Sequence, residues 1–421
     1  MTRLPVVVVG GGIAGLSAAW QLKRDGMPVR LFEADDQVGG KLRSSEFAGQ
    51  IVDEAADAFL ARVPHGIELA TELGLADRLI SPTARKAQVW TANGLMRLPE
   101  PNVLGIPLDR DAAESIHEAL VDPLIGAINA GDTDDLALAS SSPQILGAAN
   151  AGPSLIASLR AMSAKADRTA PVFHSFVGGM RVLVDALYDA VADEVMTGVA
   201  VTALEERDDG VHVTLATGEQ VAASAVILAC PAPAAAQLAR PWDRASEALD
   251  AIPLVSVTLT TLAYEKGTLQ VPRDLSGFVV PRSNGALRIT ACSYSSQKWP
   301  HLGNEVELLR VSVGHGRDQV TPALDDDELI QVIRQDLQTA FSLDATPLDV
   351  RVSRWERAFP QYLVGHGDRL ARIEGQLNPA GVFIAGMGYR GIGVPACIDQ
   401  GRSAAVEAVL HALEKSPNQA S

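Results

Sequence analysis

The chain has 421 residues, 47% of them hydrophobic and 20% charged, with a formal net charge of -16 at pH 7. This is globular composition, long enough for two or three domains around a sizeable core. The acidity disfavours nucleic acid and anionic lipid as partners but leaves room for an anionic substrate, because a local basic pocket can outweigh the global field. No apolar run is long enough for a transmembrane segment. Cys230, Cys292 and Cys397 stand far apart. They read as small core residues of a cytoplasmic, reducing compartment rather than as a disulfide framework. The histidines show no metal-ligand spacing, so no metal is expected.

Residues 4–9 form an apolar, β-branched run, the pattern of a strand covered on both faces. The glycines and periodic helix that follow argue against a signal peptide. Gly10–Gly12 break the run, and Ile13–Arg24 carries a mostly apolar helical stripe closed by Gly26. Val29–Phe32 is the next strand and ends at Glu33, completing a β-α-β unit. A helix over Pro64–Leu73 stops at Gly74, and 88–98 alternates around Asn93-Gly94 as a hairpin. Residues 99–170 read as helical, rich in Ala, Ser and Asp and broken by Pro and Gly. A Gly-Gly turn precedes a helix over Met180–Ala192, and strands are expected over Val195–Glu205, Gly210–Leu215 and Val221–Leu228. Segments 253–264, 276–281, 286–293 and 305–313 read as a second, antiparallel or mixed sheet. Asp325–Asp327 open a helix over Glu328–Phe341, where acids favour the helix N-terminus. Val382–Ala385 is a short buried strand, Gly386–Gly393 a glycine-rich loop, Ile398–Leu413 a final helix and Lys415–Ser421 a frayed tail.

The chemistry-bearing signal is Gly10-x-Gly12-x-x-Gly15 between the first strand and helix. Gly10 permits the tight turn, Gly12 lets the backbone approach a pyrophosphate, and Gly15 lets helix pack on strand. The amides at the helix start, around Ile13 and Ala14, then face phosphate. Glu33 stands where a carboxylate accepts from ribose hydroxyls, and its charge disfavours a 2'-phosphate, hence NADP. Ala34 and then Gly39-Gly40-Lys41-Leu42 follow. This run resembles the extended motif of the flavin amine oxidase superfamily, with Lys41 where the family usually has Arg. The resemblance implies FAD, held non-covalently. It also implies that Val201 meets the adenine and that Gly386, Met387, Gly393, Val394 and Ile398 lie along the ribityl chain and the isoalloxazine ring.

Further runs narrow the resemblance: Arg357-Ala358-Phe359-Pro360-Gln361-Tyr362, Tyr389 to Ile398, Phe173 to Met180, Asp53 to Leu60 and Leu120 to Asp132. Together they resemble the coproporphyrinogen and protoporphyrinogen oxidases, most nearly the soluble coproporphyrinogen III type of actinobacteria and Gram-positive bacteria. That resemblance implies oxidation of a porphyrinogen to a porphyrin in haem biosynthesis, with dioxygen as acceptor and hydrogen peroxide as product. It names no essential protein acid or base; the catalytic residues stay unknown. It places Tyr362, Tyr389 and Arg390 as candidates for lining the substrate, with His366 nearby, and it leaves a homo-oligomer or a haem-pathway partner as company for the chain.

The implied fold is α/β. A discontinuous Rossmann-like FAD-binding domain (1–85, 171–250 and 350–415) receives an inserted α+β substrate domain (86–170 and 251–349). Arginines 351, 354, 357, 369 and 372 would lend positive potential to a cleft at the junction or form a solvated basic face. One departure stands out: the segment after Leu98-Pro99 is short compared with the family. Two alternatives therefore stay open. One is another flavin oxidase or desaturase acting on an amine or a polyene. The other is a non-catalytic protein that binds FAD or porphyrin.

Overall fold

The structure, a computed structural model, describes residues 3–99, 102–103, 106–108, 122–165, 170–282, 285–303 and 305–415. The segment 109–121 within the helical reading of 99–170, and the tail beyond Lys415, lie outside the described residues.

Val6–Val9 is the centre of a five-stranded sheet in the order Val195–Met196, Val29–Phe32, Val6–Val9, Ala225–Leu228, Val382–Ile384. All four pairings are parallel. Successive side chains of a strand face opposite ways, so Val6 and Val8 enter one core and Val7 and Val9 another. The first core is covered by helices Ile13–Arg24, Arg181–Val191 and Val394–Lys415. The second is covered by the antiparallel strands Val201–Arg207, Gly210–Leu215 and Gln220–Ala223 and by helices Ala232–Leu238, Asp243–Asp250 and His366–Leu377. The first and last helices cross closely because Gly401 lies against the Ala14 carbonyl, where any Cβ would collide.

A second sheet has seven strands, ordered Asp349–Pro360, Leu254–Glu265, Val306–Val313, Ile289–Tyr294, Leu275–Val279, Lys86–Thr91, Gly94–Arg97. Only the pairing of Leu275–Val279 with Lys86–Thr91 is parallel. Helix Asp326–Phe341, capped by the Asp325 side chain accepting from the Glu328 amide at 2.9 Å, buries Leu329, Ile333 and Leu337 against one face. Short helices between Asp122 and Lys165 form a further cluster around Ile125, Ile145 and Leu159.

Several expectations are corrected. The segment 195–205 is two strands, split where Gly198 takes a positive φ of 69° and the chain leaves the parallel sheet for the antiparallel one. Residues 221–228 also divide, at Ser224, whose amide turns to the Pro5 carbonyl. Strand Asp349–Pro360, placed by sequence with the dinucleotide unit, pairs along Leu254–Glu265 in the seven-stranded sheet instead. The final helix begins at Val394, four residues before Ile398, with Pro395 in its first turn, where the missing N–H costs nothing.

Candidate active site

The local geometry explains each glycine of the first motif. Gly10 has φ +108°, and a Cβ there would stand 2.9 Å from the Ala229 backbone. A Cβ on Gly15 would run into the Gly10 carbonyl. Gly12 differs: its φ is ordinary at -71°, and a Cβ there would meet nothing within 4 Å. The space beside Gly12 is thus open, and as N-cap it offers no side chain to the orphan amides of the first helical turn. Gly39 bridges to Gly12, so the second glycine turn lies against the first. Gly40, with φ +56°, would present a Cβ only to Gly12 Cα at 3.4 Å.

Glu33 accepts from the Gly11 amide at 2.5 Å and the Asp35 amide at 2.9 Å, which fixes its carboxylate at the sheet's end with lone pairs left over for hydroxyl donors. Lys41 is partly buried, and burial lowers its pKa, with no carboxylate partner among the described residues. An ammonium without a counter-ion, beside glycines and orphan amides, suits a pyrophosphate. Ala34 is exposed and Leu42 is buried in the core beneath.

The second cradle is Gly386–Gly393. Gly386 has φ +126°, and a Cβ on it would come no closer than 3.9 Å to the Ala14 side chain. Ile13, Ala14, Val394 and Ile398 are buried together in one core, with Met387 packed on it. Both motifs therefore meet at one place, lined mostly by backbone, with Glu33 and Lys41 as its charged side chains. That lining fits an extended dinucleotide. Val201 stands apart from Glu33: it pairs with Leu215, and the amide bonded to the Glu33 carbonyl is that of Val199, at 2.9 Å. Arg43 was missed by sequence; it grips the Gly40 carbonyl at 3.0 Å and Asp35 at 3.1 Å. Its place three residues past the Gly-Gly turn was the only hint.

The three residues read as substrate contacts do other work. The Tyr362 hydroxyl donates to the Met387 carbonyl at 2.6 Å and accepts from the Gly391 amide at 3.0 Å. His366 stacks on the Tyr362 ring at 4.5 Å and donates through Nε2 to the Tyr389 carbonyl at 2.8 Å. Tyr389 is 1% exposed and belongs to the second core. Arg390 forms a two-pronged pair with Glu374 on the neighbouring helix. Tyr362 and Arg390 thus spend their polar groups on partners within the protein, while Tyr389 keeps a buried hydroxyl without a partner among the described residues; we propose a supporting role for them in place of substrate contact. Arg390→Ala should then leave flavin content and KM unaltered and shift Tm by less than about 2 °C, because its pair is half-exposed. A raised KM would restore the substrate role.

Two of the five clustered arginines are engaged elsewhere, whereas Arg369 keeps Nε and Nη1 buried without a hydrogen-bond partner among the described residues. Arg351 donates to Ser45 Oγ at 2.7 Å and to the Val52 carbonyl at 3.2 Å, and Arg354 donates to the Pro322 carbonyl at 2.8 Å and pairs with Asp326.

Asp53 joins the hairpin Ser44–Asp53 to the Gly178-Gly179 turn. Its Oδ1 accepts from Ser44 Oγ at 2.5 Å and the Met180 amide at 2.8 Å. Burial raises its carboxyl to about 6. Nearby, burial works to raise Asp57 as well, but Lys298 at 2.9 Å and Arg310 at 3.7 Å hold it below the usual carboxylate range. With an unfolded value of about 4, the folded Asp53 binds the extra proton between about pH 4 and 6. Its contribution is thus fully present below the unfolded value and lost as pH rises through the folded one, on the order of 2 kcal/mol. Asp53→Asn keeps the acceptor oxygen, so its Tm should gain on wild type as pH rises from about 4 to about 7. A constant difference would contradict the assignment.

Among the described residues no helix is long and apolar enough to cross a membrane, and no cluster of His, Cys, Asp and Glu is arranged to hold a metal ion.

Comparison with known proteins identifies the family. The family profile described as flavin containing amine oxidoreductase matches residues 13–121 and 107–409. The two runs meet at 107–121, close behind the segment after Pro99 that reads as short. A protein of Mycobacterium leprae named coproporphyrinogen III oxidase is 33% identical over 447 aligned positions, covering 94% of this chain and 96% of its own. The Bacillus subtilis protein of the same name is 29% identical over 462 positions, covering 96% and 98%. That alignment exceeds the chain's 421 residues, so gaps open within this chain. A solved structure from Exiguobacterium sp. 255-15, described as a candidate protoporphyrinogen oxidase, superposes with a TM-score of 0.86 at 26% identity, covering 98% of this chain and 100% of that one. The chain is thus an FAD-dependent oxidoreductase and belongs to the flavin containing amine oxidoreductase family.

Proposed function

We propose that the chain oxidises a porphyrinogen, with coproporphyrinogen III as the first candidate, to the porphyrin in haem biosynthesis. The observation that carries this reading is where the porphyrinogen-oxidase-like segments meet. Gln361 Nε2 donates to the Asn129 carbonyl at 2.9 Å, and the adjoining Tyr362 holds Met387 and Gly391. Three runs distant in sequence, each resembling that group, are thus hydrogen-bonded into one wall beside the flavin cradle. The relatives that carry the name match over nearly the whole chain.

FAD, when bound, supplies a hydride acceptor, and that is the chemistry the protein itself lacks. The chain's residues orient and exclude water. Glu33, Lys41 and the first-turn amides fix the dinucleotide; the Tyr362–His366 stack fixes the loop that would face the macrocycle. The Tyr362 hydroxyl and His366 Nε2 are both engaged as donors, which leaves His366 Nδ1, buried and without a hydrogen-bond partner among the described residues, as the one ring nitrogen of that stack with a free lone pair. Dioxygen as acceptor, with peroxide as product, completes the proposal. Steady-state assays should give three peroxides per porphyrin formed, since a porphyrinogen loses six electrons. Porphyrin formation that needs an added quinone would move the acceptor elsewhere.

The flavin is proposed to be non-covalent. Burial raises the thiols of both Cys397 and Cys230 to about 12, which leaves scarcely any thiolate to attack a flavin at neutral pH. Acid precipitation should release all the yellow colour to the supernatant; flavin retained in the pellet would contradict this.

A further inference from the structure

An acidic protein acting on an anionic substrate needs a local source of positive charge, and in the cluster near 351–372 both Arg351 and Arg354 are committed to other partners. A cavity of about 370 Å³ at the seven-stranded sheet gathers three arginines, of which Arg282 and Arg317 are paired with Asp122 and Asp132 and Arg288 forms no ion pair among the described residues. It is lined by Arg282, Arg288, Arg317 and His315, with Asp318 as its only carboxylate among the lining residues. Leu287 and Ile289 give it an apolar floor. This size lies within the usual range for a ligand site.

The cavity is built. Arg282 Nη1 pairs with Asp122 Oδ1 at 2.8 Å, both side chains only 12% exposed. The guanidinium lies against Gly126, where any Cβ would collide with it. The resembling run that ends at Asp132 therefore serves to seat Arg282. Arg317 is held by Asp132 at 2.7 Å. The Arg288 side chain is exposed and forms no ion pair among the described residues, although the Asp336 carboxylate, which accepts from the Arg288 amide at 2.7 Å, lies near enough to feel its charge. The cavity loop is also linked to the glycine loop through hydrogen bonds. The Gly316 amide donates to the Ala130 carbonyl at 2.9 Å, Asn129 accepts from Gln361, and Tyr362 reaches Met387. One hydrogen-bonded run thus connects the cavity loop to the glycine loop.

We propose that this cavity receives a carboxylate arm of the substrate, a propionate of a tetrapyrrole whose ring rests at the flavin cradle. The inference rests on the porphyrinogen reading above. Arg288 meets the carboxylate at the mouth, and Arg282, its charge shared with Asp122, and His315 offer donors farther in. Such an anchor selects for substrates with several acidic arms and makes binding weaken with salt.

The test is equilibrium binding of coproporphyrin III to the flavin-loaded protein, followed by porphyrin fluorescence at low and high salt, for wild type, Arg288→Glu and His315→Gln. Flavin content and Tm confirm that each variant is folded. Arg288→Glu should weaken binding about tenfold at low salt and flatten the salt dependence, and His315→Gln should weaken it less. Unchanged affinity in Arg288→Glu overturns the cavity assignment while leaving the porphyrinogen reading intact. Failure of the wild type to bind coproporphyrin III overturns both.

Discussion

Gly15→Ala is expected to purify colourless and destabilised, whereas Gly12→Ala is expected to purify colourless but as stable as the wild-type apoprotein. The two substitutions add the same methyl group to the same motif, and the difference lies in what each would meet. At Gly15 the Cβ would strike the Gly10 carbonyl, a backbone atom that cannot swing aside. The first helix would have to lift from the sheet. Overpacking of this kind costs about 1–3 kcal/mol or more, and it displaces the amides that face the pyrophosphate. Flavin content should fall below about a tenth of wild type. At Gly12 nothing lies within 4 Å, and the backbone has an ordinary φ. The methyl group there intrudes only on the cofactor. If Gly12→Ala kept its flavin, the open space beside it would not be the pyrophosphate site.

Tyr362→Phe is expected to weaken flavin retention about tenfold and to lower Tm by several degrees. The ring is 1% exposed, and the phenylalanine fills the same volume, so packing on His366 survives. What is lost is the hydroxyl that satisfies both the Met387 carbonyl and the Gly391 amide. Each buried group left without a partner costs about 1–3 kcal/mol. The loop that would face the isoalloxazine ring loses its strut. A substrate-contact role predicts instead a raised KM with unaltered flavin affinity and Tm, so the two readings separate in a single set of assays.

What the sequence disclosed, and what it hid, follows from distance along the chain. The strand Val6–Val9, helix Ile13–Arg24 and strand Val29–Phe32 were legible because β-branching, glycine breaks and helical periodicity are local signals. Glu33 was legible because its place relative to the glycines is fixed by one β-α-β unit. The splits at Gly198 and Ser224 were hidden: an extended residue looks the same whichever sheet it joins. Strand Asp349–Pro360 was misplaced for the same reason, since its partner Leu254–Glu265 lies far off in sequence. The partners of Tyr362 and Arg390 were hidden because an aromatic or arginine beside a glycine loop gives no sign of which side it faces. The role of Gly126 required knowing that Arg282, distant in sequence, lies across it.

The central claim is that this flavoprotein takes electrons from a porphyrinogen. The most direct test is to mix the flavin-loaded protein with coproporphyrinogen III without oxygen, follow the flavin absorbance, and then admit air while recording porphyrin fluorescence. The account predicts that the flavin bleaches, that colour returns with air, and that porphyrin accumulates faster than in protein-free controls. A protein whose flavin stays oxidised in the presence of coproporphyrinogen III, yet bleaches with an amine, would contradict it.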